Sequence, residues 1–96
     1  MSVMVIVNFR ASDGNADALL ALLQDGRDVS LTAAGCEAFD LYRRDDDPQK
    51  FTFIERWTTI DAHHANMAKN IIESGHFAKL LPLLDGGIDN GVLTLV

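Results

Sequence analysis

The segment Val3-Met4-Val5-Ile6-Val7-Asn8-Phe9 constrains this chain more than any other part of it. It is an almost unbroken run of apolar, mostly β-branched residues, closed by the turn signal Ser12-Asp13-Gly14. A strand that is apolar on both faces must be covered on both faces. Helices can cover one face, and a second copy of the same sheet would cover the other. The chain has 96 residues, room for a single domain spanning residues 1–96. Its hydrophobic content of 48% is high for so small a core. A face buried against a second copy accounts for that excess, so a homodimer is expected.

The remaining elements follow from periodicity. Ala16, Leu19, Leu20, Leu23 and Leu31 recur at helical spacing, with Ser12 or Asp13 placed to cap the start, Gly26 as a point of bending and Gly35 beyond the end. A strand over about 37–43 and an alternating strand over Lys50 to Trp57 flank the turn Asp45-Asp46-Asp47-Pro48, which makes a hairpin. Thr58-Thr59-Ile60-Asp61 opens a helical region that runs to about Leu84, broken near Glu73-Ser74-Gly75, with Pro82 marking a kink or a new first turn. A short strand over 92–96 closes the chain. The order βαββαβ predicts an α+β, ferredoxin-like fold with an antiparallel sheet.

Charge and cysteine usage exclude several roles. The formal net charge of −6 repels phosphate backbones and anionic lipid, so neither nucleic acid nor a membrane surface is expected as a partner. Arg43-Arg44 beside three aspartates reads as a solvated turn. The lone cysteine, Cys36, supplies neither an intrachain disulfide nor a thiolate zinc cage and fits a reducing cytoplasm. No signal-peptide pattern opens the sequence, and no stretch reaches the roughly 20 apolar residues of a membrane span.

Several residues can carry chemistry. Asn8 interrupts an apolar strand, where a buried amide needs partners or costs about 1–3 kcal/mol; it can orient a substrate oxygen or be satisfied by a neighbouring loop. Trp57 can wall a planar ligand or simply fill the core. Phe53 and Glu55 share its strand face, and a buried Glu55 could act as a base or pair with an arginine. On a helix from Ile60, the stripe Ile60–His64–Met67–Ile71 is apolar, so His64 borders the inner face; His63, Asn66 and Asn70 fall on a polar side. His64 is therefore the better placed histidine for proton transfer. His76 reads as a cap or a solvated group. Adjacent histidines on a helix point about 100° apart, and no glycine-rich phosphate loop is present, so neither a metal nor a nucleotide or flavin cofactor is expected.

Taken together, Ala34-Gly35-Cys36, Phe39, Leu41, Arg44-Asp45-Asp46-Asp47-Pro48, Phe51, Glu55-Arg56-Trp57 and Ser74-Gly75-His76-Phe77 resemble the antibiotic biosynthesis monooxygenase family. The resemblance implies a dimeric α/β barrel of two ferredoxin-like protomers with sheets face to face. It also implies a cofactor-free oxygenase acting with dioxygen on a small electron-rich aromatic such as a phenol, quinol or polyketide-like ring. Asn8 would hold the substrate oxygen, Trp57 pack the ring and His64 move the proton, with Phe53, Glu55, His63, Asn66 and Met67 lining the site. The family commonly has a histidine nine residues after the tryptophan; here straight counting gives Asn66, and His63 or His64 takes that place only with a shortened connection. Ala34 and Leu31 stand where the family usually has proline and arginine. Two alternatives remain open. One is a non-enzymatic dimer that binds small aromatics. The other is haem degradation, for which Asn8 fits, but Asn66 and Leu81 stand where relatives on this barrel carry tryptophan and histidine.

Overall fold

The apolar run forms β1, Val3–Arg10, the strand that organises the sheet. The computed structural model describes residues 2–96. After β1 come α1 (Ala16–Leu31), β2 (Cys36–Arg43), β3 (Lys50–Trp57), α2 (Ile60–Asn66), a π-helical segment (Met67–Ile72), α3 (His76–Leu80), a 3-10 turn (Leu81–Leu83) and β4 (Asp89–Leu93). The four strands lie in the order β2-β3-β1-β4, with every neighbouring pair antiparallel. This is the ferredoxin-like α+β arrangement that the element order predicts. Among the described residues, no helix is long and apolar enough to cross a membrane.

The alternation of a strand decides what each sheet face carries. Val5 and Phe9 of β1, Phe51, Phe53, Glu55 and Trp57 of β3, and Phe39 of β2 are buried on one face, beneath the helices. Leu19 and Leu23 of α1 are wholly buried against them, each contributing about 1.5–3 kcal/mol of apolar burial. Phe53 anchors the aromatic cluster, edge-on to Phe9 at 5.3 Å and to Phe39 at 4.7 Å between centroids. The opposite face carries Met4, Ile6, Asn8, Thr52, Ile54 and Leu93, and no helix among the described residues lies over it. Tyr42 and Leu93 are about half exposed there.

Several boundaries differ from the sequence reading. The final strand is Asp89–Leu93 rather than 92–96, because its pairing with β1 sets Leu93 opposite Met4 and leaves Leu95 and Val96 beyond the ladder. Helix α1 runs unbroken through Gly26, which is an inward position. Its N-cap is Asn15, without a side-chain cap bond. The Ser12 hydroxyl instead donates to the Leu83 carbonyl at 3.1 Å and accepts from the Asn15 amide at 2.7 Å. Thr59 does cap α2, accepting from the Ala62 N–H at 3.1 Å. The helical region then widens to i→i+5 bonding at Met67–Ile72, which shifts the face that later residues present.

Gly35 locks the junction between α1 and β2. It adopts φ +84°, and its carbonyl accepts from the Thr58 N–H at 2.8 Å. A Cβ on Gly35 would lie 2.7 Å from both Ala62 Cβ and Thr58 Oγ1, so only glycine lets α2 sit this close to the end of α1.

Candidate active site

Between the helix-side face of the sheet and the helices lies a cavity of about 590 Å³, within the range of small-ligand sites. Its floor is Val7 and Phe9 of β1 with Phe39, Phe53 and Glu55. Its roof comes from α1, α2, the π-helical segment and α3. Most of this lining is apolar, with a few polar side chains grouped at particular points.

The most unusual group is at the β3–α2 corner. Glu55 is 2% exposed, and one carboxylate oxygen, Oε1, accepts the Trp57 indole N–H at 2.9 Å. His63 turns Nδ1 toward the same oxygen at 3.4 Å, with side-chain exposures of 13% and 3% for the pair. That nitrogen is buried and makes no hydrogen bond among the described residues. A buried imidazole nitrogen without a partner costs about 1–3 kcal/mol unless function requires it. The Trp57 ring lies tilted against the His63 ring, with centroids 5.7 Å apart. The indole thus holds the carboxylate, and the carboxylate faces the imidazole.

A second polar strip crosses the roof. The Asn66 amide, 4% exposed, donates to the Ser30 hydroxyl at 3.0 Å and accepts from the Asn70 amide at 2.8 Å. Ser30 is wholly buried and occupies the inward stripe Leu19–Leu23–Gly26–Ser30 of α1. That stripe could have shown Ser30 in the sequence, as a hydroxyl at an otherwise apolar helical spacing. His76 packs on the other side: its Nε2 would lie 2.9 Å from a Cβ on Gly26. Burial holds the His76 imidazole below its ordinary range, with Lys79 adding to that effect, while Asp25 and the Leu22 carbonyl oppose it. The neutral form is therefore the one the fold favours. This contribution to stability is present above pH 6.5, the ordinary value, and is lost as pH falls through the depressed folded value. His76→Gln is expected to flatten the decline of Tm as pH falls below 6.5, read by thermal melts in matched buffers.

The expected site residues divide into two sets. Phe53, Glu55, His63, His64, Asn66 and Met67 all line the one cavity. Asn8 and Trp57 do not. Asn8 lies on the opposite sheet face, where its amide donates to Asp89 at 3.2 Å and accepts from the Thr52 hydroxyl at 2.7 Å. Strand alternation places it there, since Val7 and Phe9 on either side face the cavity. Trp57 is wholly buried as a packing residue that also holds Glu55. Asn8, Trp57 and His64 therefore do not converge on one point.

The helix faces also differ from expectation. The polar side of α2 is the inner one: Asn66 is buried and His63 nearly so, while His64 is exposed at the cavity rim. The reason for Asn66 is that Ser30 and Asn70 supply its hydrogen-bond partners under that face, while His63 lies beside Glu55 without a hydrogen bond at Nδ1. His76 is a wall residue rather than a solvated cap, and with Ser30 it is a lining residue that the sequence reading missed.

Removing the indole donor tests this corner. Trp57→Phe leaves a buried carboxylate with one partner fewer, and stability is expected to fall by about 2–4 kcal/mol from the lost bond and the smaller ring. Urea titration at fixed pH measures it, and a loss below about 1 kcal/mol would contradict the buried Glu55–Trp57 bond.

The surface ion pairs have a different role. Arg10 bonds Asp47 and Arg44 bonds Asp46, and these bonds hold both carboxyls below the usual range at the turn of the β2–β3 hairpin. They shape the turn and lie outside the cavity.

The fold recurs in solved structures. Rv0793 from Mycobacterium tuberculosis superposes with a TM-score of 0.89 at 24% identity, over 100% of this chain and 96% of that one. PA3566 from Pseudomonas aeruginosa gives 0.83 at 24% identity, over 99% and 94%. SnoaB from Streptomyces nogalater, described as a cofactor-independent oxygenase and solved as a point mutant, gives 0.83 at 19% identity, over 98% and 92%. No curated protein matches this chain in sequence. The family model described as antibiotic biosynthesis monooxygenase matches residues 2–78, which carry β1 through the start of α3 and with them the Glu55–Trp57–His63 corner. This chain belongs to the antibiotic biosynthesis monooxygenase family.

Proposed function

We propose that this protein is a cofactor-independent monooxygenase that oxidises a small electron-rich aromatic, a phenol or quinol, with dioxygen, acting as a homodimer in the cytoplasm. The observation that carries the reading is the unpartnered His63 Nδ1 facing the buried Glu55 at the edge of an apolar cavity. Family membership and the resemblance of the fold to SnoaB support it. The uncovered sheet face, with Met4, Ile6, Ile54 and Leu93, supports pairing with a second copy.

In this reading the aromatic ring lies against Phe53 and Phe9, and its hydroxyl meets His63. Glu55 is a positioning residue: it faces Nδ1 and thereby fixes which nitrogen meets substrate. His63 takes the hydroxyl proton. The resulting anion transfers electrons to dioxygen, and a carbon–oxygen bond forms to give a ring hydroperoxide. Cleavage of the O–O bond with loss of the ring hydrogen leaves one oxygen on the ring and releases the other as water. For a quinol the balance is quinol plus dioxygen to hydroxyquinone plus water, with all four electrons coming from the substrate. The apolar walls exclude water from the anion and from reduced oxygen. Asn66, held by Ser30 and Asn70, is a fixed dipole for a second substrate oxygen.

Isotopically labelled dioxygen tests the reaction type. One labelled atom in the hydroxyquinone is the expected result. Product without label, or reduction of dioxygen to peroxide alone, would make the protein a quinol oxidase or a binding protein instead.

A further inference from the structure

We infer that the cavity accepts neutral aromatics and rejects carboxylated ones; this deepens the oxygenase reading by naming the charge class of its substrate. The argument rests on where every cation of the chain goes. Among the described residues, Glu55 is the only Asp, Glu, Lys or Arg side chain that lines the cavity. The chain has eight lysines and arginines in all. Arg10, Arg27 and Arg44 are engaged with surface aspartates. The Arg43 guanidinium lies over the Phe51 ring, 4.8 Å from its centroid. Arg56, Lys69 and Lys79 are exposed. Lys50 lines a separate opening, shared with Asn8 and Arg10.

A carboxylate entering the cavity would lose its hydration, find no guanidinium or ammonium, and face the Glu55 carboxylate across low-dielectric walls. The histidines do not reverse this. Burial pushes the His76 imidazole toward its neutral form, His64 stands exposed at the rim, where solvent screens it, and Nδ1 of His63 is turned to Glu55 rather than into the cavity. A phenol or quinol hydroxyl, by contrast, meets donors and acceptors in His63, Asn66 and Ser30. The net charge of −6 acts in the same direction at long range.

The test is anaerobic calorimetric binding of naphthol, hydroxynaphthoate and the neutral isostere hydroxynaphthamide, at about pH 8, where an ordinary imidazole is uncharged. Naphthol and the amide are expected to bind alike, and the acid at least about a hundredfold more weakly. Met67→Lys places a cation on the cavity wall and is expected to recover the acid by about tenfold or more. Equal binding of acid and amide would overturn the inference, as would failure of naphthol to bind. An amide as weak as the acid would also overturn it, because size rather than charge would then be excluded. Binding is read without turnover, so the two readings fail separately. Discrimination without oxygen uptake would sink the oxygenase reading alone. Oxygenation of acid and neutral substrates at equal rates would sink this inference alone.

Discussion

His63→Ala is expected to lower kcat for quinol oxygenation by about a hundred- to ten-thousand-fold, the range for loss of a positioned general base. KM should change little, since apolar contacts with Phe53 and Phe9 supply most of the binding. His64→Ala should cost less than about tenfold, because His64 is exposed at the cavity rim and it is His63 that faces Glu55. The two variants sit side by side on α2, so loss of helix would affect both alike and the contrast isolates the chemistry. Steady-state oxygen uptake at saturating quinol measures it. The reverse ranking, with His64→Ala the more damaging, would move the proton acceptor to the rim and remove Glu55 from the mechanism.

Gly35→Ala is expected to cost about 3 kcal/mol. A left-handed conformation at a residue with a Cβ costs roughly 1–2 kcal/mol, and forcing a methyl into packed surroundings costs a further 1–3 kcal/mol or so. Here the methyl meets Ala62 Cβ and Thr58 Oγ1 at 2.7 Å. For a domain of this size that is a fall in Tm of about 12–24 °C. Gly14 gives the control: its φ is +81°, but a Cβ there meets nothing within 4 Å. Gly14→Ala should therefore cost only about 1–2 kcal/mol, and the difference between the two isolates the packing at the α1–α2 junction. Thermal melts of the two variants read it, and equal losses would mean that α2 moves aside freely.

The fold was legible because its signals are local. Val3–Phe9 declares a two-sided strand, the alternation of Phe51, Phe53, Glu55 and Trp57 declares a one-sided one, and Thr59 declares the start of α2. Strand ends were less legible: whether Val92 or Asp89 begins β4 depends on where β1 offers partners, which is a long-range fact. Much of the cavity lining was legible as a set of residues, and its geometry was not. Phe53, Glu55, His63, Asn66 and Met67 could be gathered from neighbouring segments. Their roles turn on contacts across the fold. His63 faces inward because Glu55 waits beneath it, and Asn66 because Ser30 does, 36 positions away in the chain. The apolar stripe through His64, Met67 and Ile71 does reach the cavity, but it leaves His64 at the rim and His63 and Asn66 deeper, since helical periodicity assumes that buried means apolar. Asn8 stands out as a polar residue in an apolar strand, but it lies away from the cavity. Its partners, Thr52 and Asp89, lie on strands that only the sheet order makes its neighbours.

The measurement closest to the central claim is oxygen uptake by metal-free protein on a panel of neutral quinols, with heat-denatured protein as the control for autoxidation. The account predicts uptake equimolar with hydroxyquinone formed, dependent on His63, without added flavin or metal. No uptake above the control on any quinol, with binding of the same compounds intact, would contradict it and leave a ligand-binding protein on an oxygenase fold.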